Sequence, residues 1–134
     1  MIYEVETESD QYPAAIDQAM TVAVGLLQLP ENVYVTLTLG EEYSSAGGCV
    51  HCDDEDGYMM FDVDININQD IVELITTLFH ELKHVEQYAT GRLTQTNWLG
   101  KKKPVLEYYE RPWEKEAYKF ESEAMQLYRR QYDG

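Results

Sequence analysis

The stretch that most limits how this chain can fold runs from residue 70 to residue 91. Ile71, Leu74, Ile75, Leu78, Leu82 and Val85 recur there at helical spacing and predict one buried apolar stripe. Asp70 is placed to cap the helix, with Glu73 at the third helical position, which is the capping-box arrangement. Gly91 is placed to end it in a left-handed turn. Val72 and Phe79 extend the apolar surface on another flank. His80 and His84 project away from the stripe, on a side shared with Glu73, Thr77 and Gln87. The expectation is a mostly buried helix carrying one polar seam.

The seam contains His80-Glu81-Leu82-Lys83-His84, a match to the H-E-x-x-H pattern. Positions four apart stack on one helix face, so the two imidazoles can grip a single metal ion. Glu81 can then reach a water at that ion and act as a base. The plain alternative is an amphipathic helix with two surface histidines. Against it stand the caps, the seam, and the scarcity of histidine, since two of the three in the chain lie in this motif.

A length of 134 residues predicts one domain over positions 1–134, and a hydrophobic share of 44% fits a globular chain. No apolar run approaches the ~20 residues of a membrane span. The acidic first residues lack the basic and apolar regions of a signal peptide, so a cytoplasmic location is expected. The net charge of −15 argues against nucleic-acid or anionic-membrane partners and makes a basic substrate plausible through steering. Lys101-Lys102-Lys103 is the one basic cluster and reads as a solvated loop.

In chain order, residues 1–8 alternate as a short strand, residues 10–13 form a helix entry, and a helical pattern runs to about Leu29 before Pro30. Residues 33–39 are rich in β-branched and aromatic types and predict a strand. Residues 40–57 are polar, acidic and glycine-rich and read as a loop. Residues 58–66 alternate as a half-buried strand leading into the motif helix. Trp98-Leu99-Gly100 and the stretch 105–109 are expected to pack locally, near a cleft. A last helix opens at Pro112 and runs to about Gln131, with Trp113, Ala117, Phe120, Ala124, Leu127 and Tyr128 as its apolar stripe.

Within the loop, Cys49-Val50-His51-Cys52 offers a C-x-x-C and three possible metal ligands. The acidic run at 53–56 should raise a thiol pKa, and a structural zinc site lacks an obvious fourth ligand, so reduced thiols are expected. An EF-hand register ending at Gly57 would put Cys52 and Val63 in ligand positions, which rules out that reading.

A catalytic zinc takes three protein ligands, so the two histidines need a third. His51 is the only other histidine. On the last helix Glu114 and Glu121 flank one edge of the stripe, and Glu116 and Glu123 flank the other. Helical geometry alone does not choose between them.

His80-Glu81-x-x-His84 followed by a helix with Glu114-x-Glu116-Ala117 resembles the gluzincin branch of zinc metallopeptidases, especially its minimal single-domain members. With its Arg-Pro-Trp-Glu-x-Glu-Ala segment, the chain is also similar over roughly residues 58–125 to small phage-encoded zincin-like proteins. Tyr118 stands where those families commonly have Asp or Asn. The resemblance implies zinc as cofactor, His80, His84 and Glu114 as ligands, Glu81 as general base, and a peptide or protein substrate. It implies a tyrosine at the oxyanion, with Tyr108, Tyr109 and Tyr118 as candidates, and a sheet-edge strand that pairs with substrate, for which residues 58–66 are the candidate. The expected fold is α+β and zincin-like, with about three main helices and a small antiparallel sheet. The rival reading is a non-catalytic zincin-like binding or structural protein.

Overall fold

The computed structural model describes residues 1–7, 12–41 and 45–133. The fold is α+β. Its elements in chain order are β1 (Ile2–Thr7), α1 (Ala14–Leu26), β2 (Val33–Gly40), β3 (Gly47–His51), β4 (Met59–Asn66), α2 (Ile71–Ala89), the short pair β5 (Asn97–Trp98) and β6 (Lys101–Lys102), a 3₁₀ turn at Tyr108–Glu110, and α3 (Pro112–Tyr128), which continues into one π-turn at Arg129–Asp133. Among the described residues no helix is long and apolar enough to cross a membrane.

The main sheet has the order β1-β2-β4-β3. It is mixed rather than purely antiparallel: β1 and β4 both run parallel to β2, while β3 is antiparallel to β4. A helical crossover between β1 and β2 makes their parallel pairing possible. Burial in β2 alternates strictly, with Val33, Val35, Leu37 and Leu39 inward, joined by Phe61, Val63 and Ile65 of β4. All three helices contribute to the single core on that face, through Ile16 and Met20, Leu78, Phe79 and Leu82, and Phe120 and Ala124. Burying each of the larger side chains contributes about 1.5–3 kcal/mol.

Three expectations about this framework change. Residues 47–51 form β3 where a loop was expected. The cause is a tight hairpin: Glu55 and Tyr58 exchange both backbone hydrogen bonds across Asp56 and Gly57, which have φ of 51° and 83°. That is the pattern of a two-residue primed turn. As a consequence β4 is paired on both sides, so residues 58–66 are not an edge, and β3 is the edge strand beside the motif helix. Finally, α1 stops at Leu26 rather than near Leu29, because Leu27 is already extended ahead of the Leu29-Pro30 pair. Of the expected helix entry at 10–13, Asp10 and Gln11 lie outside the described residues, as does Glu8 of the first strand; Pro13 sits at the cap position.

The motif helix α2 follows its expected caps. The Asp70 side chain accepts the Glu73 backbone N–H at 2.9 Å, and Gly91 adopts a φ of 76°. Leu74, Ile75, Leu78, Leu82 and Val85 are buried as expected, but Ile71 and Val72 are exposed in the first turn. Gly47 lets β3 approach this helix closely. A Cβ there would lie 2.7 Å from Thr77 Cγ2 and 2.8 Å from the Asp64 carbonyl. The edge strand is therefore held against the helix turn that precedes His80.

Candidate metal centre and cleft

The His80 and His84 rings stack one turn apart on α2, with centroids 4.9 Å apart. Their Nε2 atoms converge on one oxygen of Glu114, at 2.8 and 3.1 Å. Glu114 arrives from the first turn of α3, where Pro112 opens the helix and the dipole favours a carboxylate. Tyr108 donates to the same Glu114 oxygen at 2.8 Å. His80, Glu81, His84 and Glu114 are all buried. His80, Glu81 and His84 form a group whose ligand atoms lie within 4.8 Å of one another and could hold a metal ion.

The second nitrogen of each imidazole is also fixed. His80 Nδ1 meets Glu121 Oε2 at 2.9 Å, and His84 Nδ1 meets Gln87 Oε1 at 2.7 Å. Partners of this kind hold a ring in the tautomer and orientation that a metal requires. Gln87 is fully buried and also donates to the Trp113 carbonyl at 2.9 Å and to Glu116 at 3.2 Å. It therefore ties the His84 ring to the residue preceding Glu114. Arg92 completes the frame, pairing with Glu116 at 2.7 Å and Glu86 at 3.0 Å, while Lys83 meets Glu86 at 2.6 Å.

The electrostatics of the centre favour positive charge. Burial opposes ionisation of Glu114, yet hydrogen bonds from His80, His84 and Tyr108 hold it well below the usual carboxylate range. Burial lowers His80, but Glu114 and Glu121 override it and bring the imidazole up to about 9. His84 rises for the same reason, burial being outweighed by Glu114 and Gln87. Burial pushes Glu81 upward, with the two imidazoles opposing. Two imidazoles facing carboxylates make a donor set suited to a cation.

Each residue considered from the sequence now has a place. Glu114 faces both imidazoles. Glu121 supports His80 from behind, at the outer nitrogen. Glu116 is turned toward Arg92, and Glu123 is exposed beside Lys119. His51 stacks on Phe61 at 4.6 Å and pairs with Asp54, outside the centre. Tyr118 packs edge-on against His80 at 4.7 Å, whereas Tyr109 points outward and is 76% exposed. Cys49 faces the cleft; burial, then Glu81, raises its thiol pKa well above the ordinary value. The Cys52 thiol is also raised, by burial and by Asp62 ahead of Asp53. Both cysteines are free. Trp98 packs on Trp113 and Arg92, and Lys103 lies over the Trp113 ring, so the lysine cluster forms β6 and its flank rather than a free loop.

A cleft follows the outer edge of β3 past the centre. On the Gly47 side it opens to about 490 Å³ between Val72, Thr76, His80, Glu81 and Tyr118. A narrower part of about 180 Å³ lies between Cys49, Glu81, His84, Tyr88 and Glu114. Beyond it, Val50, His51, Tyr88 and Leu93 line a further 460 Å³. Comparison of the chain with protein-family models, with curated proteins and with solved structures found no match.

Proposed function

We propose that this chain is a zinc-dependent metallopeptidase in which His80, His84 and Glu114 hold the ion and Glu81 is the general base. The observation that carries the reading is the convergence of two imidazole nitrogens on one carboxylate oxygen, at a cleft along a free strand edge. Two histidines and one glutamate form a known catalytic zinc donor set, which leaves a position for reactants. A zinc ion held there would supply a Lewis acid that acidifies water and polarises a carbonyl.

The chain's own groups do the rest. Glu81, its pKa raised by burial, takes the proton of the attacking water and returns it to the leaving amine. Glu121 and Gln87 keep both imidazoles with Nε2 turned inward. Tyr108 and Tyr118 are the phenols beside the centre that can donate to a developing oxyanion. The outer edge of β3 offers backbone groups for an antiparallel peptide, in the role that the sequence reading gave to β4.

The test is metal content followed by hydrolysis. About one zinc per chain is expected, lost in His84→Ala and Glu114→Ala. Glu81→Gln should keep the metal and lose about 10²–10⁴ of the peptide-cleavage rate. No zinc after reconstitution would sink the proposal. Zinc retained without Glu114 would reassign the third ligand, and zinc without cleavage would favour the non-catalytic binding role.

A further inference from the structure

The widest part of the cleft has a composition that the hydrolytic reading does not use. Its floor is one stripe of α2, in which Glu73, Thr77 and His80 fall at i, i+4 and i+7 and so share a face. Val72, Thr76 and Ala46 give it apolar walls. Seven residues of helix separate Glu73 from His80, which is about 10 Å along the axis. The compartment therefore runs from the candidate metal centre to a carboxylate at its far end.

Apart from His80 at the metal-centre end, the ionisable carboxylates of this compartment make it acidic. Glu73, Glu81 and Glu121 line it, and among the described lining residues there is no lysine or arginine. Glu121 is engaged by His80, and Glu81 lies among the imidazoles. Glu73 differs from both. Its backbone N–H meets Asp70, but its carboxylate makes no hydrogen bond or ion pair among the described residues. A capping box would turn that carboxylate back to the Asp70 backbone; here that bond is absent among the described residues, and Glu73 lines the exposed rim of the compartment.

We propose that this compartment selects a lysine or arginine side chain of a bound peptide, its aliphatic stem against Val72 and Thr76 and its cationic head at Glu73. The inference rests on the reading of the cleft as a peptide-binding site. Apolar walls ending in an unpaired carboxylate suit a long side chain with a charge at its tip. A purely apolar side chain would fill the walls and leave Glu73 without a partner. An acidic one would meet like charge at Glu73, the end of the compartment away from the metal centre.

The experiment separates this inference from catalysis by measuring binding. Zinc-loaded Glu81→Gln protein is titrated with fluorescein-labelled alanine-based hexapeptides that carry lysine, arginine, norleucine or glutamate at one position, scanned along the peptide. Norleucine keeps the stem of lysine without its charge. At one position lysine and arginine should bind about fivefold tighter than norleucine, with the ratio shrinking as salt rises. Adding Glu73→Gln should abolish the ratio, and Glu73→Lys should reverse it toward glutamate. Glu123→Gln, the same charge change on the exposed face of α3, should leave it intact. Equal binding of lysine and norleucine at every position, or a preference that survives Glu73→Gln, would overturn the proposal, as would no peptide binding at all. Wild-type cleavage is read separately on the same peptides. Selective binding without cleavage would remove the hydrolytic reading and keep this one; cleavage without selectivity would do the reverse.

Discussion

The two sides of α2 are built from opposite materials. On one side, Leu74, Ile75, Leu78, Leu82 and Val85 join the core that also holds the inward residues of β2 and β4, with no polar atom among their side chains. Away from that stripe the same helix buries His80, Glu81, His84, Glu86 and Gln87, and α3 adds Glu114. Apolar packing is non-directional and tolerates small shifts, so it can hold the helix but cannot aim a ring nitrogen. The polar seam has the reverse properties. Every buried polar side-chain atom there has a partner among the described residues, and each partner is set by direction. One side supplies stability, and the other holds a geometry.

This contrast is broken most forcefully by Phe79→Ala. Phe79 is fully buried and adjoins His80 in sequence, yet it points the other way, edge-on to Phe120 and Tyr128 at 6.3 and 6.4 Å. Truncation should cost about 3–5 kcal/mol of stability, read by denaturant unfolding. Zinc affinity of the fraction that remains folded should stay near wild type. If affinity falls in step with stability, the two sides of the helix are not separable.

The next effect in size belongs to the seam. Gln87→Leu keeps the approximate volume but leaves His84 Nδ1 and the Trp113 carbonyl without their partner. Zinc affinity should fall about 10–100-fold, measured by competition with a chelator, and Gln87→Asn should not restore it because its shorter side chain cannot reach both groups. A wild-type affinity in Gln87→Leu would show that the ring is held by α2 alone.

The same contrast explains what could be read from the sequence. The seam at Glu73, Thr77, His80, His84 and Gln87 is visible as helical periodicity, because each member lies on one helix whose phase is local. Gln87 sat on that seam, three residues after His84, but nothing in a single chain says which seam residues meet another helix. The choice among Glu114, Glu116 and Glu121 is of that kind. Periodicity placed two carboxylates on each edge of α3, and only the packing angle of α3 on α2 sends Glu114 inward, Glu121 behind His80 and Glu116 to Arg92. The edge strand was lost for a different reason. Asp56-Gly57 is a strong hairpin signal, but the glycine-rich, acidic composition around it reads as loop. Without β3, residues 58–66 look like an edge, and their alternation cannot show that strands lie on both sides.

The smallest expected effect lies far from the seam, where a polar contact crosses the apolar half. Tyr3 of β1 donates to Asp17 of α1 at 2.7 Å, tying the first strand to the helix that crosses over it. Burial, then Asp17, raises the Tyr3 pKa above its ordinary value near 10. A raised pKa in the folded state means that folded protein keeps this proton when unfolded protein has lost it. The contact's stability is thus complete below pH 10 and declines as pH climbs through that value toward the folded pKa. Tyr3→Phe should cost about 0.5–1 kcal/mol at neutral pH, the low end for an exposed hydrogen bond. Above pH 10 the gap between the two proteins should close, because the wild type alone then loses this contribution. Unfolding curves from pH 7 to 11 would show it, and zinc affinity should not change. A constant gap across that range would mean that Tyr3 stabilises through packing alone. The link between β1 and α1 would then hold by packing alone and not by a directional contact of the kind that defines the seam.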